Sequence, residues 1–175
     1  MRRFPAWVEV NLDAMKWNLD RVRDLLGPGT GVLLVVKADA YGHGAVRVAR
    51  FAEREGVEML GVATADEGKE LRSAGIRTPI LILSPVLPEE LDAVLEHDLA
   101  VNASSLEFAE AASRTARKIG RRCLVHVEVD TGMGRAGVHA VEAPETIRRI
   151  AALDGLDVEG IFTHFPASDL DAPFT

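Results

Sequence analysis

The sequence predicts an α/β protein: a (β/α)8 TIM-type barrel of which about six of the eight βα units are present. Three observations carry this expectation. Short β-rich apolar runs alternate with longer segments of helical period from residue 32 to residue 163, which is the βαβ pattern. Most of these runs lack polar alternation, as parallel strands covered on both faces do. A closed barrel takes about 250 residues, whereas this chain has 175 and ends just after its sixth strand. A doubly wound open sheet has the same element order; the length arithmetic favours an incomplete barrel.

The elements follow in order. Trp7-Val8-Glu9-Val10 reads as a possible extra strand, and a leading helix is expected over 12–26. Strands are expected at 32–37, 59–64, 80–84, 98–102, 123–129 and 158–163. Between them Ala45, Val48, Ala49 and Ala52 recur at i, i+3, i+4 and i+7, and Leu106, Ala109, Ala112, Ala116 and Ile119 keep a similar stripe, so helices cover the sheet. Ser104 with Glu107 has the form of a capping box, and Gly56, Gly75 and Gly120 stand where helices stop. No linker, repeat or low-complexity tract marks a second domain.

Composition bounds the function. Hydrophobic residues make up 47% and charged residues 27% of the chain, as in ordinary globular proteins. The longest apolar runs are far below the ~20 residues of a membrane span. Asp plus Glu number 27 against 20 Lys plus Arg, a net charge of −7, so the basic footprint of nucleic-acid binding is absent. One cysteine, Cys123, allows no internal disulfide, and Met1 to Val10 has no apolar core of a secretion signal; a cytoplasmic location fits. Small-molecule chemistry is the default.

Three strand ends carry it. In Val35-Val36-Lys37-Ala38-Asp39-Ala40-Tyr41-Gly42-His43-Gly44, Lys37 ends the first strand and shares a face with Leu33 and Val35. Strand C-termini face the site in parallel α/β folds, and a sheltered amine there favours its neutral, nucleophilic form, as imine chemistry with pyridoxal phosphate requires. In His126-Val127-Glu128-Val129-Asp130-Thr131-Gly132-Met133-Gly134-Arg135, three polar residues share one face of a buried strand, and Arg135 sits among glycines where it can pair with Glu128 and meet an oxyanion. Gly160-Ile161-Phe162-Thr163-His164-Phe165 ends the sixth strand with a ring able to stack on an aromatic group. Singly, each has a plain alternative: a solvent lysine, a surface ion pair, a core histidine.

Together the residues resemble the bacterial alanine racemases. The resemblance covers the whole chain: Pro5-Ala6-Trp7-Val8-Glu9-Val10-Asn11-Leu12-Asp13, KADAYGHG at 37–44, DEG-x2-LR-x-AG at 66–75, DTGMGR at 130–135 and THF at 163–165. It implies a pyridoxal 5'-phosphate enzyme interconverting L- and D-alanine, supplying D-alanine for peptidoglycan, with no metal. Residues 1–175 would be the N-terminal part of the cofactor-binding barrel domain, without the C-terminal β-domain. By the same resemblance Lys37 carries the cofactor as an aldimine and acts as one of two proton-transfer bases, and Tyr41 contacts the cofactor phosphate. Arg135 stands by the phenolic oxygen and the substrate carboxylate, and His164 packs on the pyridine ring. The partner would be a second copy in a homodimer. The second base of the family is a tyrosine of the β-domain, and the sole tyrosine here is Tyr41, so this chain alone is expected to be inactive. Some relatives carry a carbamylated lysine where Glu128 stands; Glu128 is expected to supply that charge by pairing with Arg135. Alternatives are a racemase of broader amino-acid preference and a non-catalytic pyridoxal phosphate-binding barrel.

Overall fold

The computed structural model describes residues 6–168. Pro5 of the opening motif and the chain end at Phe174-Thr175 lie outside them.

Helix α1 (Leu12–Leu25) starts where predicted, because the Asn11 side chain accepts from the amides of Asp13 (2.9 Å) and Ala14 (3.0 Å). The stretch before it is not a strand: Trp7 is 74% exposed and finds no neighbouring strand to pair with. Six parallel strands then form one sheet, β1 (Leu33–Val35), β2 (Met59–Val62), β3 (Ile80–Ile82), β4 (Ala100–Ala103), β5 (Cys123–Asp130) and β7 (Leu156–Phe162), each beside the next in that order. A short β6 (Val138–His139), not foreseen in the sequence, pairs with the C-terminal end of β5. The crossovers are α2 (Lys37–Gly42), α3 (Ala45–Arg54), α4 (Ala65–Ser73), α5 (Leu91–Glu96), α6 (Leu106–Ile119) and α7 (Ala143–Ala151). This is the predicted parallel α/β architecture.

The two faces of the sheet differ. Val36, Leu60, Val62, Ile80, Ile82, Val101, Ala103, Val125 and Val127 are essentially inaccessible and meet Val48, Ala49, Ala52, Leu71, Ala109, Ala112 and Ala116 from the helices. That is the apolar core, and most of the hydrophobic stabilisation resides in it. Cys123 belongs to it, and burial pushes its thiol up to about 12, so it is no nucleophile. The opposite, inner face is more open: Val35, Lys37, Met59, Leu83, Leu124, His126 and Phe162 are all half-buried.

Helix ends follow local chemistry. Gly56, Gly75 and Gly120 take positive φ (69°, 85° and 74°) just where α3, α4 and α6 stop. The cap of α6 is Ser105 and not Ser104: the Ser105 hydroxyl accepts from the amide of Phe108 at 3.2 Å. The reciprocal capping box instead opens α4, formed by Thr64 and Glu67.

Candidate active site

The inner face ends at the strand C-termini, and all four candidate residues lie there. Lys37 follows β1, Arg135 lies in the loop after β5, and His164 follows β7, while Tyr41 is four residues beyond Lys37. Pairing registers align the inner rows: Val35 stands by Gly61, Gly61 by Leu81 and Leu81 by Ala100; one row higher, Asn102 stands by His126 and His126 by Gly160. Small residues keep this face hollow. A Cβ on Gly61 would fall 2.8 Å from Leu33 Cδ2 and 2.9 Å from Leu83 Cδ1, and one on Gly160 would fall 2.8 Å from His126 Nδ1. The His126 ring therefore lies over Gly160.

Strand β1 stops earlier than the sequence suggests, and Lys37 is not its last residue. Extended geometry is lost at Val36 (φ −122°, ψ 16°), whose amide still donates to the Gly61 carbonyl at 2.8 Å. Lys37 thus stands on the lip of the inner face, half-buried and not enclosed. Beyond it Ala38, Asp39, Ala40 and Tyr41 form a left-handed turn, with φ 50–54° at all four. A left-handed conformation costs about 1–2 kcal/mol per L-residue, and such strain persists only where surrounding bonds impose it. The bonds are present. Ala38 N–H donates to Glu67 Oε1 (2.7 Å), Ala40 N–H to the Val36 carbonyl (2.9 Å), Gly44 N–H to the Asp39 carbonyl (2.9 Å) and Ala45 N–H to Asp39 Oδ1 (2.6 Å). The turn leaves Tyr41 61% exposed, displayed at the same end of the sheet as Lys37.

The loop after β5 is held by Asp130, whose Oδ1 accepts from the amides of Gly132 (2.9 Å) and Gly134 (3.0 Å). These N–H groups, that of Gly134 foremost, hold the Asp130 carboxyl below the usual carboxylate range. Thr131 and Thr163 share a hydroxyl hydrogen bond of 2.7 Å, and Thr163 Oγ1 donates to the Val129 carbonyl at 2.7 Å. The DTGMGR and THF segments are thereby joined. His164 is exposed, which removes the core-histidine alternative.

One expectation fails. Glu128 and Arg135 form no ion pair among the described residues; Glu128 is buried at 4% exposure and accepts from Asn102 Nδ2, while Arg135 is exposed on its loop. The reason is that Asn102, in register with His126 on the adjacent strand, supplies a donor inside the sheet, whereas the arginine lies seven residues beyond Glu128 on a loop that Asp130 holds. Asn102 Nδ2 also donates to the Leu83 carbonyl (2.9 Å); among the described residues its Oδ1 and His126 Nε2 are buried without a hydrogen bond, Glu159 Oε2 standing 3.6 Å from the latter.

Sequence reasoning also missed Glu67, a half-buried carboxylate that accepts from Ala38 N–H and, through Oε2, from the amides of Ala63 (2.6 Å) and Thr64 (3.4 Å). The T-x-x-E pattern directly after a strand was the available signal. Its neighbours in the DEG-x2-LR-x-AG segment are scaffold. Gly68 lets Leu99 approach, and Arg72 donates to the carbonyls of Ile76, Thr78, His97 and Asp98 at the opposite end of the sheet, where burial draws its guanidinium below the usual value.

Comparisons with known proteins bear on this arrangement. The family described as alanine racemase, N-terminal domain, matches residues 10–175. The alanine racemase of Desulforamulus reducens is 42% identical over 166 residues, covering 94% of this chain and 45% of that protein. Among solved structures, the alanine racemase of Clostridium difficile 630 superposes with a TM-score of 0.90 at 39% identity, covering 94% of this chain and 44% of that one. The histidine racemase of Leuconostoc mesenteroides superposes with a TM-score of 0.84 at 27% identity, covering 92% and 43%. The chain spans less than half the length of these relatives.

Proposed function

Because the chain belongs to the alanine racemase family through its N-terminal domain, we propose that it forms the cofactor-bearing part of an enzyme interconverting L- and D-alanine. The D-alanine made would serve peptidoglycan synthesis in the cytoplasm. The observation that carries this reading is the placement of Lys37 on the lip of a hollow, parallel sheet, followed at once by a braced left-handed turn that displays Tyr41.

The residues fit pyridoxal 5'-phosphate. A primary amine on the lip, an exposed phenol four residues on, an exposed guanidinium among glycines and an exposed imidazole all stand at one end of the sheet, and the inner face below them keeps two buried polar atoms that make no hydrogen bond among the described residues. Lys37 would hold the cofactor through its amine, Tyr41 would meet the phosphate, Arg135 the phenolic oxygen and the substrate carboxylate, and His164 would cover the ring. When bound, the cofactor supplies a conjugated ring that delocalises the charge left at Cα.

The work left to this chain is binding and proton transfer. Lys37 Nζ, once free of the cofactor, takes or returns the Cα proton on one face. Arg135 fixes the substrate carboxylate with a permanent cation, so that the Cα–H bond stays turned toward Lys37. Inversion needs a second acid on the opposite face. The resemblance implies that this group is a tyrosine of the C-terminal β-domain, and the sole tyrosine of the sequence is Tyr41, so we place it outside residues 1–175, on the partner subunit of a homodimer. These 175 residues alone would then not racemise. The likeness to a histidine racemase favours one second reading, a preference for an amino acid other than alanine, decided by side chains outside this chain.

The test is reductive trapping. After incubation of the full-length polypeptide with pyridoxal phosphate and borohydride, the added mass is expected on the peptide containing Lys37 and is lost in Lys37→Ala. Label on another residue, or none, overturns the assignment. Measuring alanine and histidine racemisation by the same protein separates the two substrate readings.

A further inference from the structure

We infer that Glu67 is a positioning residue for Lys37, acting through the backbone of the left-handed turn; the inference rests on the functional reading above. Glu67 lies at the third position of α4, beyond the C-terminal end of β2, and among the described residues it makes no hydrogen bond or ion pair with a candidate site side chain. Its two carboxylate oxygens are divided. Oε2 accepts from Ala63 and Thr64, which ties it to the end of β2, and Oε1 accepts from the amide of Ala38 at 2.7 Å. That amide belongs to the peptide unit whose carbonyl carbon is Lys37's own. A single carboxylate therefore locks the Lys37–Ala38 peptide plane to the neighbouring strand.

The lock is needed because this peptide unit opens a strained segment. Four consecutive non-glycine residues at φ 50–54° lose about 1–2 kcal/mol each relative to right-handed geometry. The far end of the turn is held by Asp39, through Ala45 N–H at 2.6 Å. The near end, where Lys37 branches from the backbone, is held by the Val36 carbonyl, which takes Ala40 N–H, and by Glu67. Without Glu67 the Ala38 amide loses its acceptor, and the backbone from Ala38 onward, directly after Lys37, is free to relax toward right-handed geometry. The amine would then swing off the lip and Tyr41 with it. A charged acceptor on a backbone N–H is worth roughly 1.5–3 kcal/mol, and if that is the energy holding Lys37 in place, it corresponds to a loss of about tenfold to a hundredfold in cofactor affinity.

Glu67 also caps α4, so its removal has a plain structural consequence that the experiment must separate. Thr64→Ala breaks the same capping box, by removing the hydroxyl that accepts Glu67 N–H at 3.2 Å, and leaves the bond to Ala38 in place. In the full-length polypeptide stripped of cofactor, pyridoxal phosphate binding would be titrated by absorbance, the orientation of the bound chromophore read by visible circular dichroism, and stability read by thermal unfolding. Thr64→Ala is expected to lower the melting temperature while keeping wild-type affinity and dichroism. Glu67→Gln, nearly isosteric but with an N–H2 group where one acceptor stood, is expected to bind at least about tenfold more weakly and to lose the dichroic band. Glu67→Ala is expected to do so more severely, and if it does not fold, Glu67→Gln carries the comparison. If Glu67→Gln matches Thr64→Ala in affinity and dichroism, the positioning role is overturned and the functional reading stands. If wild type carries no adduct on Lys37, both fall.

Discussion

At the scale of single residues, the polar side chains divide into those that face a ligand and those that hold the loops. Asp130 is of the second kind, though its place in DTGMGR makes it look like the first. Its carboxylate is spent on Gly134 and Gly132, and its lowered proton affinity follows from those bonds. The sign is set by linkage: a depressed carboxyl stabilises the loop above its unfolded value and ceases to as pH falls through its folded value. The Gly132 and Gly134 amides are therefore expected to be protected from exchange at neutral pH and to lose protection below about pH 4, with no such transition in Asp130→Asn. Protection lost already above about pH 4 in the wild type, or the same acid profile in Asp130→Asn, would contradict this. The sequence draws attention to Lys37 and His164 as polar residues at the end of apolar runs, and to Arg135 as a cation in the glycine-rich loop after one. Asn102 was not singled out, although it interrupts Ala100-Val101-Asn102-Ala103, because its importance comes from a hydrogen-bond partner on the adjacent strand 26 residues away, Glu128.

Among the elements, the turn over Ala38–Tyr41 departs furthest from what its residues prefer. Alanine and aspartate in this order give no sign of left-handed geometry, and the glycines at 42 and 44 mark only where the chain leaves it, at φ 85° and 89°. The turn exists because Glu67 of α4, the Val36 carbonyl and Asp39 itself present acceptors that outweigh relaxation. Ala38 is exposed, so its side chain can be varied without disturbing the core. Ala38→Val, a branched side chain at positive φ, is expected to destabilise by about 2 kcal/mol, and Ala38→Gly to be neutral or stabilising by up to about 1 kcal/mol. Urea denaturation of both variants checks this, and equal midpoints for valine and alanine would refute the strain. Elsewhere the helices and strands follow their patterns closely, with boundaries displaced by at most two residues. The larger failure, the strand expected at 7–10, came from reading a β-rich composition without a neighbour to pair with.

Across the whole molecule, the sheet is open among the described residues. β1 and β7 each have a strand on one side only, and Ile161, on the outer face of β7, is 57% exposed with no helix over it. Trp7, Trp17 and Leu25 are exposed near the other edge. Unpaired parallel edges beside apolar surface promote association. The 175-residue chain expressed by itself is expected to self-associate as its concentration rises, read by light scattering after gel filtration; a monomer at all concentrations would contradict this. The order of strands and helices, the apolar face that joins them, and the strand ends that carry polar residues were determined by the sequence alone, because periodicity and strand-end position are local properties. Tertiary structure alone decided that Asn102 takes the donor role meant for Arg135, that Glu67 reaches the backbone beside Lys37, and that four ordinary residues wind left-handed. Each of these depends on which backbone amides and carbonyls register brings within about 3 Å, and one chain's local pattern does not encode the distance between its separate strands.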